Sequence, residues 1–381
     1  MRRSTRSTSL DRWRHRFVAS RSGTIGFRRA VRRVARGARD RGRGRGSSDR
    51  RRRGSASKLL PGPASCTGRL PRVLVGPAEP IPYALAPGRP DRRGRITMKP
   101  SLIAIDLDGT LLTRSGVTRA DREAIAAAIA AGVEVVIATG RSWSESLEAL
   151  EAIEASGPMI AAGGALLHDA ATGEILDRSV VHPEVASMVA STLRRHGHVV
   201  HLLQDARKAG CDYWMIGDDP VSEATRWWFE RHAVDARWVE RLDDVPTLEH
   251  TVRVGTTAVG SMLTDVVEEI RLELGDRVLL QAWEAVVESE ATGDRIHLLE
   301  AFDPTVDKWT MLEAIARRRG FGVESIAAIG DGLNDVGMVG NAGIGIAMRN
   351  ADPRVVAVAD RRTGPPGVGV GDAIRALLEH D

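Results

Sequence analysis

Cysteine is nearly missing from this 381-residue chain, which holds only Cys66 and Cys211. Two isolated cysteines make neither a disulfide framework nor a cysteine-bound metal, and their scarcity fits a reducing cytoplasm. Long apolar runs are missing too: no stretch approaches the ~18 residues of a membrane span. The N-terminus has charge but no apolar segment behind it, so it does not read as a secretory signal. Basic character is absent from most of the chain despite its formal charge of +4. Residues 1–97 hold 26 Arg and one Lys against five acidic residues, whereas residues 98–381 hold 27 basic and 45 acidic ones. The acidic body therefore exerts no long-range attraction on anions, and any anionic substrate has to be captured by local cations.

What the first 97 residues do contain is Arg, Gly, Ser and Pro, as in Arg41-Gly42-Arg43-Gly44-Arg45-Gly46. Such a segment has too little apolar surface to offset its ordering entropy and is expected to be disordered, with a transient basic helix at most over Phe27 to Ala38. Three origins are open for it. It is translated leader sequence ahead of a start at Met98, or a basic arm for nucleic acid or an acidic surface, or an Arg/Ser-rich targeting segment.

From Ser101 the pattern turns regular. Leu102-Ile103-Ala104-Ile105 and Val133 to Ala138 read as buried strands, Arg119 to Ala131 and Ser144 to Ala155 as helices, and Met159-Ile160-Ala161 as a third strand. The far end returns to the same alternation, with helix Trp309–Arg319, strand Ser325–Ile329, helix Asn334–Val339 and strand Gly343–Ala347. This alternation implies an α/β fold, an open Rossmann-like parallel sheet with helices on both faces. Between the halves the texture changes. Residues 181–289 mix helical stretches (Pro183–His196, Val221–His232, Gly260–Leu274) with strand stretches (Val199–Leu203, His250–Thr256, Arg277–Gln281). They also hold five of the eight tryptophans. The expected organisation is a core from 98–180 and 290–381, an α+β domain of 181–289 inserted in it, and the extension 1–97.

Four segments carry chemistry: Asp106-Leu107-Asp108-Gly109-Thr110, Thr139-Gly140-Arg141, Lys308, and Gly330-Asp331-Gly332-Leu333-Asn334-Asp335. Each falls just after a strand or at a helix start, where such sheets bind ligands. Asp106 and Asp108, two residues apart on an extended backbone, project to one side. One carboxylate can attack phosphorus while the other protonates the leaving oxygen and then deprotonates water. Thr139 can offer a hydroxyl and N–H to a phosphate oxygen, and Lys308 can offset the repulsion between a carboxylate and an anionic substrate. Asp331, Asn334 and Asp335 share a helical face. Asp331 with Asp106 meets the oxygen-ligand preference of Mg2+. Alone, each segment also reads as a turn, a helix cap or a solvated lysine; jointly, in this order, they read as phosphoryl transfer.

In these motifs the chain resembles the haloacid dehalogenase superfamily of phosphohydrolases, specifically the Cof-like group with a large C2-type (C2B) cap. The likeness runs from about Lys99 to the C-terminus. It implies Asp106 as nucleophile and Asp108 as general acid/base, with the Asp108 carbonyl on magnesium. It also implies Thr139, Gly140, Arg141, Lys308 and Asn334 as phosphate-binding positions, Asp331 as metal ligand and Asp335 as support for the metal shell. The implied activity is a cytoplasmic, magnesium-dependent phosphatase for a small soluble phosphomonoester, foremost a sugar phosphate, with flavin mononucleotide, pyridoxal phosphate and other organophosphates behind it. A sugar phosphomutase is the rival within enzymes, and a nucleic-acid binder acting through the Arg-rich arm the rival outside them. Neither a membrane nor an oligomeric state is implied. Two departures stand out: Gly163-Gly164-Ala165 where relatives carry Asn-Gly-Ala, and Arg349 before Asn350-Ala351 where relatives carry Gly. Weaker signals lie in the inserted segment. His196, His198 and His201 have a spacing that suggests zinc but lack a completing ligand. Trp227-Trp228 fit either stacking or a core anchor, and Arg253, Trp214 and Asp294 are candidates to face the cleft.

Overall fold

Ile, Val, Leu and Ala fill the central strands because both faces of the main sheet are covered. The computed structural model describes residues 99–217, 221–284 and 296–379. The extension 1–97, Met98 and Asp294 lie outside the described residues. The first half runs β1 (Leu102–Ile105), α1 (Arg119–Ala130), β2 (Glu134–Ala138), α2 (Trp143–Ala152), β3 (Pro158–Ala161), β4 (Leu166–Asp169) and β5 (Ile175–Arg178). The middle comprises α3 (Pro183–Arg195), β6 (Val200–Gln204), α4 (Ala206–Ala209), β7 (Tyr213–Ile216), α5 (Glu223–Arg231), β8 (Ala236–Val239), β9 (Thr251–Val259), α6 (Thr264–Leu274), β10 (Leu279–Glu284) and β11 (Ile296–Phe302). The chain ends with α7 (Lys308–Arg319), β12 (Ile326–Gly330), α8 (Val336–Asn341), β13 (Ile344–Ala347), α9 (Pro353–Val358), β14 (Arg361–Arg362) and α10 (Gly369–Leu378).

The strands form two sheets. The first has the order β14-β13-β12-β1-β2-β3-β4-β5. From β14 to β3 all pairs are parallel, and β4 and β5 add an antiparallel ribbon at one edge. In β1 alternation splits the core: Ile103 and Ile105 join one apolar cluster with Ile125 of α1 and Ile374 of α10, while Leu102 and Ala104 join another with Leu312 and Ile315 of α7. Helices therefore cover both faces. Sequence order reverses at β1, which lies between β2 and β12, so the loops after these three strands flank one crevice. The sequence does not signal the β4–β5 ribbon, because its two four-residue strands carry His168, Asp169, Asp177 and Arg178 and show little apolar pattern.

The second sheet has the order β10-β11-β9-β6-β7-β8 and is antiparallel except for β7 with β8. Val200 and Leu202 of β6 and Val254 of β9 pack with Val185, Val189 and Leu193 of α3 and Val266 and Ile270 of α6. Alternate residues, including His201, Arg253 and Gly255, point to the opposite face. The inserted segment, expected to close at 289, extends further as a sheet: β11 pairs with both β9 and β10 and carries it to Phe302. No helix among the described residues is long and apolar enough to cross a membrane.

Candidate active site

The loop after β1 opens with Asp106, whose N–H donates to the Ile329 carbonyl of β12 at 3.1 Å. The residue is buried, 4% exposed. The chain then turns tightly, with the Thr110 and Leu111 N–H groups donating to the Leu107 and Asp106 carbonyls at 3.3 Å each. The turn needs Gly109, which has φ +80° and sits where a Cβ would fall on the Asp331 carboxylate. Gly109→Ala therefore meets both a left-handed-backbone penalty of about 1–2 kcal/mol and a collision with a site carboxylate. A lowered melting temperature together with a fall in kcat is the expected result.

Lys308 opens α7, where the helix dipole disfavours a cation, and it is fully buried. Two carboxylates hold it there. Its ammonium donates to Asp106 Oδ1 and to Asp335 Oδ1, both at 2.7 Å. Burial alone would depress its pKa, but the two carboxylates overcome this and raise it. Asp335 Oδ2 accepts the Asp331 and Gly332 N–H groups at 2.9 Å each, so this side chain shapes the loop after β12. Asp331 accepts from Thr110 Oγ1 at 2.7 Å and from Asn350 Nδ2 at 3.0 Å, and Asn350 also donates to the Gly109 carbonyl.

Carboxylate oxygens of Asp106, Asp331 and Asp335 lie within 4.8 Å of one another. Burial, with Asp335 alongside, lifts the Asp106 carboxyl well above its usual range despite Lys308. Burial and Asp335 likewise push Asp331 up to about 7. One ammonium does not balance three carboxylates, and the surplus negative charge with an all-oxygen donor set fits a hard divalent cation. Because Lys308 takes Asp106 Oδ1, the other oxygen of Asp106 is the one left for a cation or for attack.

Asp108 stands apart from this trio and is held by Arg141. The guanidinium Nε donates to Asp108 Oδ2 at 2.7 Å and Nη2 donates to Oδ1. Nη1 donates to the Glu145 carbonyl at 3.2 Å, and the guanidinium carbon lies 4.6 Å from the centre of the Trp228 ring. Thr139 is fully buried at the end of β2, its hydroxyl oxygen accepting the Arg141 N–H at 3.2 Å. A Cβ on Gly140 would lie 3.5 Å from Asn334 Nδ2, so the loops after β2 and β12 adjoin. The four segments singled out in the sequence thus meet in one place.

A cavity of about 370 Å³ opens over them, lined by Asp106, Asp108 and Asp331 from the first sheet's loops and by His201, Arg253 and Glu300 among others from the second sheet. The register explains the second wall: His201 and Glu300 both lie opposite Gly255, and Arg253 lies opposite Leu203. Arg253 pairs with Glu300 at 2.6 Å and donates to the Tyr213 hydroxyl at 2.6 Å and to the Gly140 carbonyl at 3.0 Å. Glu145 Oε1 accepts from Trp228 Nε1 at 2.9 Å and from the Tyr213 hydroxyl at 3.2 Å. Burial would raise Glu145, but Arg253 and the hydrogen bonds from Ser142 and Trp228 hold it below its usual range.

Of the weaker sequence signals, Arg253 lines the cavity, while Trp214 instead donates to Thr247 at 2.9 Å and Arg349 is not among the lining residues. Trp228 is anchored by Glu145 and Arg141, whereas Trp227 is half exposed. The histidine trio does not converge: His196 contacts Glu269 at 2.7 Å on the surface, His201 faces the cavity, and the acidic trio is the one candidate metal group among the described residues. Glu145, Tyr213 and Glu300 carry no sequence signal for this site, and His201 and Asn350 stand out in the sequence only for other reasons, a zinc-like histidine spacing and a neighbouring departure at Arg349. Glu145 had a signal that pointed elsewhere, since Ser142-x-x-Glu145 is also a capping box, and both of its hydrogen bonds are made.

A family model described as haloacid dehalogenase-like hydrolase matches residues 103–373. Over 280 residues the chain is 26% identical to a 5-amino-6-(5-phospho-D-ribitylamino)uracil phosphatase of Bacillus subtilis, covering 73% of this chain and 94% of that one. It is 27% identical over 274 residues to a pyridoxal phosphate phosphatase of Escherichia coli, covering 69% and 93%. The fold is also that of a haloacid dehalogenase-like hydrolase from Bacteroides thetaiotaomicron, with a TM-score of 0.61 at 22% identity over 73% of this chain and 100% of that one.

Proposed function

The chain belongs to the haloacid dehalogenase-like hydrolases, and on that premise we propose that it is a magnesium-dependent phosphatase that hydrolyses a small phosphomonoester through a covalent intermediate on Asp106. The observation that carries this proposal is the Lys308 ammonium bridging Asp106 and Asp335, which fixes Asp106 among three clustered carboxylates with one oxygen unengaged. Phosphatase relatives that span most of the chain support the reaction class.

The free oxygen of Asp106 attacks phosphorus and forms an acyl phosphate as the ester P–O bond breaks. Asp108, once released from Arg141 and protonated from solvent, gives that proton to the departing oxygen. Water then attacks the phosphorus, Asp108 takes its proton, and the bond to Asp106 breaks. Before the first step Asp108 has to be loosened from Arg141, and an incoming phosphate competes for that guanidinium. Lys308 draws charge off Asp106 and its ester. Asp106 and Asp331, with the carbonyl of Asp108, would hold Mg2+, which when bound neutralises charge on the phosphoryl oxygens. We assign the six-stranded sheet and its helices to a cap that excludes bulk water and selects the leaving group.

Metal removal gives a test of the assigned ligands with a readout besides activity. Without metal, folded Asp331 keeps its proton up to about 7, whereas an unfolded aspartate loses it near pH ~4. Between these values the folded state binds more protons, so stability falls as pH rises. In EDTA the melting temperature is expected to decline from about pH 5 to about pH 8, and added Mg2+ to raise it more at the higher pH, where no proton competes. An equal gain at both pH values contradicts the assignment. In the same samples, hydrolysis of p-nitrophenyl phosphate is expected to stop in EDTA and return with Mg2+.

A further inference from the structure

Glu145 is a buried carboxylate that the reaction above does not use. It stands near the start of α2, where its Oε2 accepts the Ser142 N–H at 2.7 Å. Its Oε1 accepts instead from two residues of the inserted segment, Trp228 of α5 at 2.9 Å and Tyr213 of β7 at 3.2 Å. Arg253 of β9 donates to the same Tyr213 hydroxyl, and burial, which alone would raise the Glu145 pKa, is outweighed by that guanidinium and the hydrogen bonds. A buried carboxylate thus keeps its charge by gripping residues from the other side of the cavity. Three residues further along each helix the contact repeats at the surface, where Arg231 of α5 pairs with Glu148 of α2.

What these contacts hold in place is Arg141. Its Nη1 donates to the Glu145 carbonyl at 3.2 Å, and its guanidinium carbon lies 4.6 Å from the centre of the Trp228 ring. Arg253 fixes the backbone beside it by donating to the Gly140 carbonyl at 3.0 Å. The rest of the guanidinium is turned to Asp108. Once a phosphoryl group takes the place of Asp108, the Glu145 carbonyl and the indole face are what keep Arg141 directed into the cavity. An arginine free to change rotamer gives up binding energy to side-chain entropy. We propose that Glu145 is a positioning residue, which ties the inserted segment to α2 through Trp228 and thereby seats Arg141 for the phosphoryl group of the substrate. The indole is the joint: Glu145 fixes its N–H, and the guanidinium rests on its face. Substrate and transition state both present phosphoryl oxygens to Arg141, so the link acts on phosphate affinity rather than on the chemical step. The proposal rests on the phosphatase function above and adds to it a residue that touches no reacting atom.

The test uses the full-length protein with Mg2+ and two readouts, the Kd for inorganic phosphate by calorimetry and the KM and kcat for acetyl phosphate, which has almost no leaving group for the second wall to hold. Trp228→Phe removes the indole N–H and keeps an aromatic face. Glu145→Gln has one oxygen where two are needed, so either Ser142 or the Trp228–Tyr213 pair meets an amide NH2. In each variant Kd and KM are expected to rise about tenfold, the scale of one hydrogen bond, with kcat within about threefold of the parent. The double variant should match Glu145→Gln alone, because both changes cut one link; a rise of about a hundredfold would show two independent effects and overturn the proposal. Arg231→Ala, which loosens the same helix pair at its exposed end, should change Kd by less than about twofold, and a tenfold rise there would overturn the assignment to Glu145. A merely structural role lowers kcat through loss of folded enzyme and leaves Kd and KM where they were, and that result would also overturn it. If Glu145→Gln does not fold, Trp228→Phe decides. A parent protein that binds phosphate but does not hydrolyse acetyl phosphate would overturn the phosphatase function, while the Kd series still decides the role of Glu145.

Discussion

Asp106→Asn is expected to lower kcat for p-nitrophenyl phosphate by at least about 10,000-fold, the scale on which loss of a covalent nucleophile acts, while leaving the protein as stable as before or more so. An amide is nearly the same shape as a carboxylate, and its oxygen can still accept from Lys308, but it does not form an acyl phosphate. The stability side follows from the site's electrostatics. Burial and the neighbouring Asp335 raise the Asp106 pKa well above its usual range. A carboxyl whose folded pKa is raised costs stability once pH exceeds its unfolded value, because the folded state then has to hold an unfavourable charge. Asparagine carries no such charge. An inactive variant with an undiminished melting temperature in EDTA, read by circular dichroism, is the expected outcome; an inactive variant that is also unfolded would say nothing for a catalytic role.

Lys308→Met should move stability in the opposite direction. The ammonium is fully buried and is the shared partner of Asp106 and Asp335. Methionine fills most of the same volume but leaves two carboxylates facing each other without a cation. Removing one partner of a buried ion pair typically costs about 3–5 kcal/mol, and here two pairs go at once, so a loss at the upper end is expected in urea denaturation. Activity should fall by about a thousandfold or more, because the same charge screens the nucleophile from its anionic ester. Adding Asp106→Asn to this variant removes one of the stranded charges, so the double variant should be more stable than Lys308→Met alone. A double variant less stable than either single one would show that the two side chains do not act as a charge pair.

The catalytic end of the site is legible in the sequence because its residues are contiguous where they matter. Asp106, Thr139 and Asp331 each follow an apolar strand, and the three strands β1, β2 and β12 are neighbours in the sheet, so local order and spatial order coincide. Lys308 reads from the sequence as a cation offsetting Asp106, and the structure adds Asp335 as its second partner. The second wall is legible only at Arg253, which reads as a candidate to face the cleft and does line it. Its partners Glu145, Tyr213 and Glu300 come from one helix and two strands far apart in sequence, and nothing local says that they share hydrogen bonds. Glu145 is further hidden by its capping box, and Asn350 by sitting among loop residues with no strand immediately before it. The short strands β4, β5, β7 and β8 span four residues each, too few for alternation to stand out from noise. The expected end of the inserted segment at 289 falls short because β11, with His297 and Glu300 among its apolar residues, resembles the start of the returning core rather than a strand with one wall on the cavity.

The central claim is that phosphorus passes through Asp106 before it reaches water, and the stereochemical course at phosphorus tests it most directly. A phosphorothioate ester made chiral with labelled oxygen, hydrolysed by the magnesium-loaded enzyme in differently labelled water, should give product with retained configuration, since two in-line displacements each invert the centre. Net inversion would mean that water attacks the ester in a single step and would contradict the assigned nucleophile.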